Sequence, residues 1–598
     1  MSKIDLEHLI NEELISDEKI GKVVSSINPN YYTQYDEFYI RIHNNSKTNL
    51  QVGELIGIPD INRQAVIYSI IDQLYSYERV SSIDHKYDEE KISNILQAKN
   101  IIDNPIIVLA KVRFIRRFSY DILFNDSLLD ITPNLPVYRV KSKGILNAYK
   151  IKGNIPIGLF AISLNNYLEN SVIKLDEYYL LGKEAAHFNV SGMSGFGKTS
   201  LALFVLKSIL THSERKDNIR IVMFNVKEDD LLWVDKPNQE LDDEDLKIYQ
   251  SLEIPPEPFE NVVYYTTNKG ANTSELASLR TEDMNCFNWE WEDVKSYIKY
   301  AIGPLEKWDD KMDLCLSRIF DYQYEHPSRD GYYSFNDVIR YIDQRLTSNN
   351  QFSGIRKATW GKFKRIISGI YEKNGGLLRR GRHPIPYEEV FKENEILIID
   401  INETYFRDYT QKLIFTKIIT DLQQLIEENA LNISNLIILT DELSKYGPTQ
   451  ISSDKGNLIQ VRNKIIDISE RGRSIGVTLF GLEQFMSKVS PDIIGNISTY
   501  FFNKTRSKEL TNSLYTHYPN YVNYRMPNLP KGYSFVDNTL LSQILMIRYP
   551  RPPCSQKRLS LENKSKKSKK KVSSLNISPI NNKQQILDDL INDDNENG

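Results

Sequence analysis

Residues Asn189 to Leu210 read NVSGMSGFGKTSLALFVLKSIL, and the glycine spacing in this stretch decides the fold. Gly192, Gly197, Lys198 and Thr199 fit the pattern G-x-x-x-x-G-K-[ST] without a mismatch. His187 to Val190 predicts a short strand entering the turn, and Thr199 to Leu210 an apolar run of helical period leaving it. Glycines let the backbone curl until its N–H groups point at phosphate oxygens, and the N-terminus of the following helix adds positive potential. Gly192, Gly195, Gly197, Lys198, Thr199 and Ser200 are therefore the expected nucleotide-binding set. Lys198 would reach the β- and γ-phosphates of ATP or GTP, and the Thr199 hydroxyl would ligate Mg²⁺.

Hydrolysis also needs an acid for the metal and a base for the attacking water. Leu436 to Glu442, LIILTDE, offers both at the C-terminal end of an apolar strand, where open α/β sheets bind ligands. Asp441 is expected to hold Mg²⁺ and Glu442 to polarise the water. The competing run, Glu395 to Asp400, lacks a second acid because Ile401 follows, so Asp441 and Glu442 are preferred. The next strand, Ile475 to Leu482, leads to Gln484, which either senses the γ-phosphate or is an ordinary strand-end amide. Before it, SERGRS places Arg471 and Arg473 on an expected tight turn. These two either stabilise charge on a transferring phosphoryl group, in cis or from a neighbouring subunit, or make surface salt bridges.

The 598 residues exceed what one core holds, so two or more domains are expected. With 75 Lys and Arg against 79 Asp and Glu, any nucleic-acid surface must gather its basic residues locally. Three cysteines without metal-ligand spacing, and eight histidines without a catalytic cluster, leave no second chemistry in the chain. The opening MSKIDLEHLINEELISDEK has no apolar signal core and no run approaches a membrane span, so a cytoplasmic protein without a membrane partner is expected.

Strand patterns in DEFYIRIH, GELIGI, AVIYSIIDQLY, PIIVLAKVRFIRR and LPVYRV predict a β-barrel or sandwich within residues 1–178. From 179 to 553 apolar strands alternate with helices (HFNVSG, IRIVMFNV, EILIIDI, LIILTDE, VTLFGL), which predicts an α/β domain with a mostly parallel sheet. Residues 281–387 read as a helical insertion in it. Residues 554–598 turn lysine-rich and then acidic, an expected disordered tail that is either inert or a non-specific tether to nucleic acid or an acidic partner.

Five segments together carry a family resemblance: LLGKEAAHFNVSGMSGFGKTS, FNVKEDDLLWVD, LIILTDELSKYGP, ISERGRSIGVTLFGLEQFMSKVSPDIIGNIS and RYPRPP. In order and character the chain resembles the HerA branch of the HerA/FtsK ring ATPases. The resemblance implies a RecA-like P-loop ATPase core with a small N-terminal β-barrel and a helical insertion. It also implies ATP and Mg²⁺ as cofactors, a homo-hexamer acting on DNA, and a sensor role for Gln484. A separate effector, a nuclease or a Sir2-like NAD-consuming protein as in anti-phage defence, would dock on the barrel. A scaffold ring that regulates its effector without moving DNA is the alternative. The chain departs from the family twice. Ala186 stands where an Arg acting in trans is common, which leaves Arg471, Arg473 or Arg506 as candidates. Asn225 to Asp230 replaces an Asp-x-x-Gly-Glu-Tyr run. The stretch from Tyr446 to Glu470 is either the DNA-contacting pore loop or an ordinary surface loop.

Overall fold

The computed structural model describes residues 6–24, 36–43, 50–78, 106–121, 123–184, 186–302, 308–329, 331–347, 354–450 and 456–557. Residues 451–455 of the pore-loop candidate and the lysine-rich and acidic stretch beyond 557 lie outside the described residues.

Six strands, β1 (Ile15–Val23), β2 (Glu37–Ile42), β3 (Leu55–Asp60), β4 (Ala65–Glu78), β5 (Ile106–Ser119) and β6 (Pro136–Val140), close a barrel in the order β1-β2-β5-β4-β3-β6. Closure removes the unpaired edges that an open sheet of this size would expose. Ile20, Phe38, Ile40, Ile56, Ile58, Ile67, Ile71, Val112 and Val137 fill the interior. Strand β1 escapes a pattern-based reading because its pairing with β6 shifts register twice, between Ile15 and Gly21, and breaks the period-two alternation.

The remaining strands form one sheet. They are β7 (Ile155–Ser163), β8 (Asn166–Leu175), β9 (Phe188–Ser191), β10 (Ile219–Asn225), β11 (Val262–Thr266), β12 (Met284–Cys286), β13 (Ile396–Asp400), β14 (Asn435–Asp441), β15 (Val477–Glu483), β16 (Thr499–Phe502), β17 (Tyr533–Asn538) and β18 (Leu545–Arg548). Their order is β12-β11-β13-β10-β14-β15-β9-β16-β17-β18-β7-β8. Pairing is parallel from β12 through β16 and antiparallel from there to β8. The expectation of a mixed α/β chain with a barrel and a mostly parallel sheet holds. Residues 155–175, grouped with the barrel by strand pattern alone, pair instead with the large sheet through β18.

The central strands are apolar throughout because both faces are covered. Val222, Phe224, Leu436, Ile438 and Leu479 enter one core, while Ile221, Met223, Ile437, Leu439 and Phe480 enter the other. The second core also takes Leu201 to Leu206 from the helix Lys198–His212. The insertion between the adjacent parallel strands β11 and β13 holds the helices Asp310–Glu325, Phe335–Thr347 and Lys357–Lys373, packed on Trp291, Phe335, Trp360 and Phe363. It is not wholly helical as expected, since it opens with β12, a parallel edge strand on β11.

Barrel and sheet meet through apolar contacts, with Ile70 in one shared core and Val66 and Tyr68 in the other, and through one bridging arginine. Arg525 donates to the Ile162 carbonyl of β7 at 2.7 Å and to the Val52 carbonyl just before β3. Arg525→Met leaves both carbonyls without that donor and should destabilise the chain by about 2–4 kcal/mol. Arg525→Lys, which can serve one carbonyl at a time, should recover part of the loss. Urea titration of the three proteins measures both shifts.

Candidate active site

The glycine loop leaves β9 at Gly192 and enters the helix Lys198–His212. Gly195 and Gly197 adopt φ of 78° and 82°, the left-handed region that side chains disfavour. A Cβ at Gly195 would meet nothing within 4 Å, and the residue is exposed. Four bonds hold its frame: Gly192 N–H to the Glu483 carbonyl (3.0 Å), Met193 N–H to the Lys504 carbonyl (2.7 Å), Asn503 Nδ2 to the Phe196 carbonyl (3.0 Å), and Tyr549 Oη to the Gly197 carbonyl (3.4 Å). The first amides of the following helix have no preceding helical carbonyl to bond, so they are available to an anion. Lys198 donates to the Met193 carbonyl at 3.3 Å, and burial holds its ammonium below the usual lysine range.

The acidic corner lies one strand away. β15 pairs with β9 on one side and with β14 on the other, so that Glu483 stands level with Ser191, and Leu482 with Asp441. Burial raises the Asp441 carboxyl, with Lys227 and Lys198 opposing. Glu442 turns sharply out of the strand at φ 57°, ψ 59°, and its carboxylate pairs with Lys227. The Glu442 amide donates to Asp441 Oδ1 at 3.0 Å. Thr199 and Asp441 thus offer hard oxygen ligands beside an anion cradle, a donor set that fits Mg²⁺ bound to a nucleotide.

The structure therefore brings Gly192, Gly195, Gly197, Lys198, Thr199, Ser200, Asp441, Glu442 and Gln484 to one edge of the sheet. Asp400, at the end of β13, stays apart: it is fully buried and accepts from Asn225 Nδ2 at 2.9 Å. Arg471 and Arg473 are not on a tight turn. They occupy the last turns of the helix Gly456–Ile475, which continues until Gly476 breaks it at φ 79°. Arg471 pairs with Asp467 and Glu427, and Arg473 donates to the Lys183 carbonyl at 2.9 Å. Both sit where β15 begins, and its seven residues span about 20 Å to the loop edge. Neither can reach a nucleotide held by its own chain. Exposed Arg506 follows the end of β16, on the same edge as the loop.

Pattern reading missed three features. Glu483 is the buried acid closing β15, and its only signal is an ionisable residue ending the apolar run VTLFGL. Lys227, after β10, pairs with the corner. The third is a strap at residues 549–557. The tail expected from 554 begins no earlier than 558, because Cys554 is fully buried, Ser555 N–H bonds the Lys236 carbonyl at 2.8 Å, and Gln556 accepts from Ser200 Oγ at 2.7 Å. Lys557 then pairs with Glu228 at 2.9 Å, in an acidic run whose Glu228, Asp229 and Asp230 carboxylates gather within 4.8 Å of one another.

No family model matches this chain, and no curated protein does. Among solved structures it is similar to VirB4 of Thermoanaerobacter pseudethanolicus, at 11% identity and a TM-score of 0.44, covering 68% of this chain and 98% of that one. It is also similar to the pCW3 conjugation coupling protein TcpA with ATPγS (10% identity, TM-score 0.25, 83% and 88% covered). A third is the genome packaging NTPase B204 of Sulfolobus turreted icosahedral virus 2 with ATPγS (8%, 0.25, 62% and 99%). No helix among the described residues is long and apolar enough to cross a membrane.

Burial pushes Asp230 up to about 6, with Lys557 opposing. An acid whose folded pKa lies above its unfolded value holds its proton more tightly when folded. Its penalty on stability is therefore full above the folded pKa and vanishes as pH falls toward the unfolded one. Asp230→Asn should raise the melting temperature at pH 8, and the gain should shrink as pH drops from about 6 towards 4. Thermal melts of both proteins across that range measure it.

Proposed function

We propose that the chain is a RecA-like P-loop ATPase of the HerA type, which hydrolyses ATP and moves DNA through a ring of six copies. One observation carries the reading: an anchored glycine loop with Lys198 and Thr199 meets the Asp441–Glu442 corner at one edge of a parallel sheet, with a single strand between them. An anion cradle alone binds phosphate; a cradle beside two adjacent carboxylates can also turn it over.

Loop amides and Lys198 bind and orient the β- and γ-phosphates. Thr199 and Asp441 would hold Mg²⁺, which when bound would neutralise phosphate charge. Glu442 takes the proton of the attacking water after releasing Lys227, and Gln484, half-buried beside Glu483, orients that water or senses the γ-phosphate. Arg471 and Arg473 lie at the far end of β15, a placement that suits a finger offered to a neighbouring subunit and not to their own. The ring thereby gains a reason to be closed, since each site is completed by the next copy.

The barrel unit in this reading is built on β1 to β6, and the ATPase unit takes in β7 and β8 and runs through the strap to residue 557. An effector, a nuclease or a Sir2-like enzyme, docks on the barrel, whose Leu123 and Leu128 are 81% and 64% exposed. The second reading is a ring whose task is to gather and regulate that effector without moving DNA.

Lys198→Ala should lose nucleotide binding, whereas Glu442→Gln should bind ATP and lose about 100-fold or more in turnover. Wild-type turnover in Glu442→Gln would remove Glu442 as the base. Hydrolysis measured with and without duplex DNA, beside the mass in solution, separates the two readings. A ring stimulated by DNA is the motor, and a ring indifferent to DNA is the scaffold.

A further inference from the structure

Glu483 is 3% exposed and ends the strand that separates the glycine loop from the acidic corner. A buried carboxylate is costly unless its oxygens are satisfied by donors. Here Oε2 accepts from Ser444 N–H at 2.6 Å, and Oε1 accepts from Gln484 N–H at 2.7 Å and from Phe485 N–H at 3.3 Å. The carbonyl of the same residue accepts from Gly192 N–H at 3.0 Å, the first amide of the glycine loop. One residue therefore grips both halves of the site, the loop through its main chain and the acidic corner through its side chain.

The corner needs that grip. Glu442 sits in the left-handed region at φ 57°, which costs a residue with a side chain about 1–2 kcal/mol. Such a conformation persists only where neighbouring bonds over-determine it. Ser444, two residues on, supplies the bond that crosses to β15, and Lys445 N–H to the Glu442 carbonyl (2.8 Å) closes the turn itself. Without the crossing bond the turn loses its tie to Glu483 and keeps its internal bonds, the Lys227 pair and the burial of Leu443 and Tyr446, a weaker hold on the left-handed backbone of Glu442. Both Glu483 oxygens face backbone N–H donors, so an amide there would set a donor against a donor.

The geometry points to Glu483 as the positioning residue that fixes the Glu442 carboxylate relative to the phosphate loop. This rests on the ATPase reading given above. Glu483 itself touches no reacting atom in this role; its oxygens are taken by the N–H groups of Ser444, Gln484 and Phe485.

Two variants of the full-length chain test it, Glu483→Asp and Glu483→Gln. Aspartate keeps the charge but is one methylene short of Ser444, and glutamine keeps the length but loses one acceptor. In both, binding of a fluorescent ATP analogue with Mg²⁺ should stay within about twofold of wild type, while kcat falls about 100-fold, the loss expected of a misplaced catalytic group. Added to Glu442→Gln, either change should cost nothing further, because the residue it positions is already gone. Should the glutamine variant fail to fold, the aspartate variant carries the measurement alone. Wild-type kcat in Glu483→Asp overturns the proposal, and so does a further full loss in the double variant, which would make the contribution independent of Glu442. A fall in nucleotide affinity as large as the fall in kcat also overturns it, by placing Glu483 in loop integrity. Absence of ATP turnover in the wild-type protein instead overturns the ATPase reading on which the proposal stands.

Discussion

Parallel pairing fixes which residues of neighbouring strands share one level, and the register of β9, β15 and β14 governs everything at the loop edge. Ser191, Glu483 and Asp441 end their strands together because Leu482 pairs with both Val190 and Asp441. A slip of one residue would turn each strand over, moving its buried set to the opposite core. Two apolar layers resist that slip: alternate residues of β10, β14 and β15 are committed to different cores. The chemistry at the edge is thus held in place by hydrocarbon packing several residues away.

Much of this was legible in the sequence. The loop is defined by a spacing that few other structures require, and HFNVSG, IRIVMFNV, EILIIDI, LIILTDE and VTLFGL all became central parallel strands. A buried parallel strand is written as a continuous apolar run, and such runs stand out. The strands that escaped have weaker signatures. β1 is bulged, β16 and β18 are four residues each, and β7 and β8 were read with the barrel because a strand pattern does not say which sheet it joins.

At the site, Asp441 and Glu442 were visible because two acids end an apolar strand. Glu483 was not, because its meaning comes from the amides of Ser444 and Gly192, contributed by other strand ends. The arginines show the opposite error. SERGRS looks like a turn because of its glycine, yet Gly472 is helical, packed so closely that a Cβ would come 2.5 Å from the Val477 carbonyl. Its smallness serves a close approach of helix to strand, and the turn comes later, at Gly476.

The strap gives the chain a particular order of events during synthesis. Ser200 and Gln556 touch although 356 residues separate them. At about 5–20 residues per second, roughly 20–70 s pass between the emergence of the glycine loop and that of the segment that closes over it. For most of that interval β9 waits without β15 and β16, its partners on either side. A polypeptide built this way is most vulnerable to aggregation while still on the ribosome, and it is in that interval that a chaperone would have the most to protect.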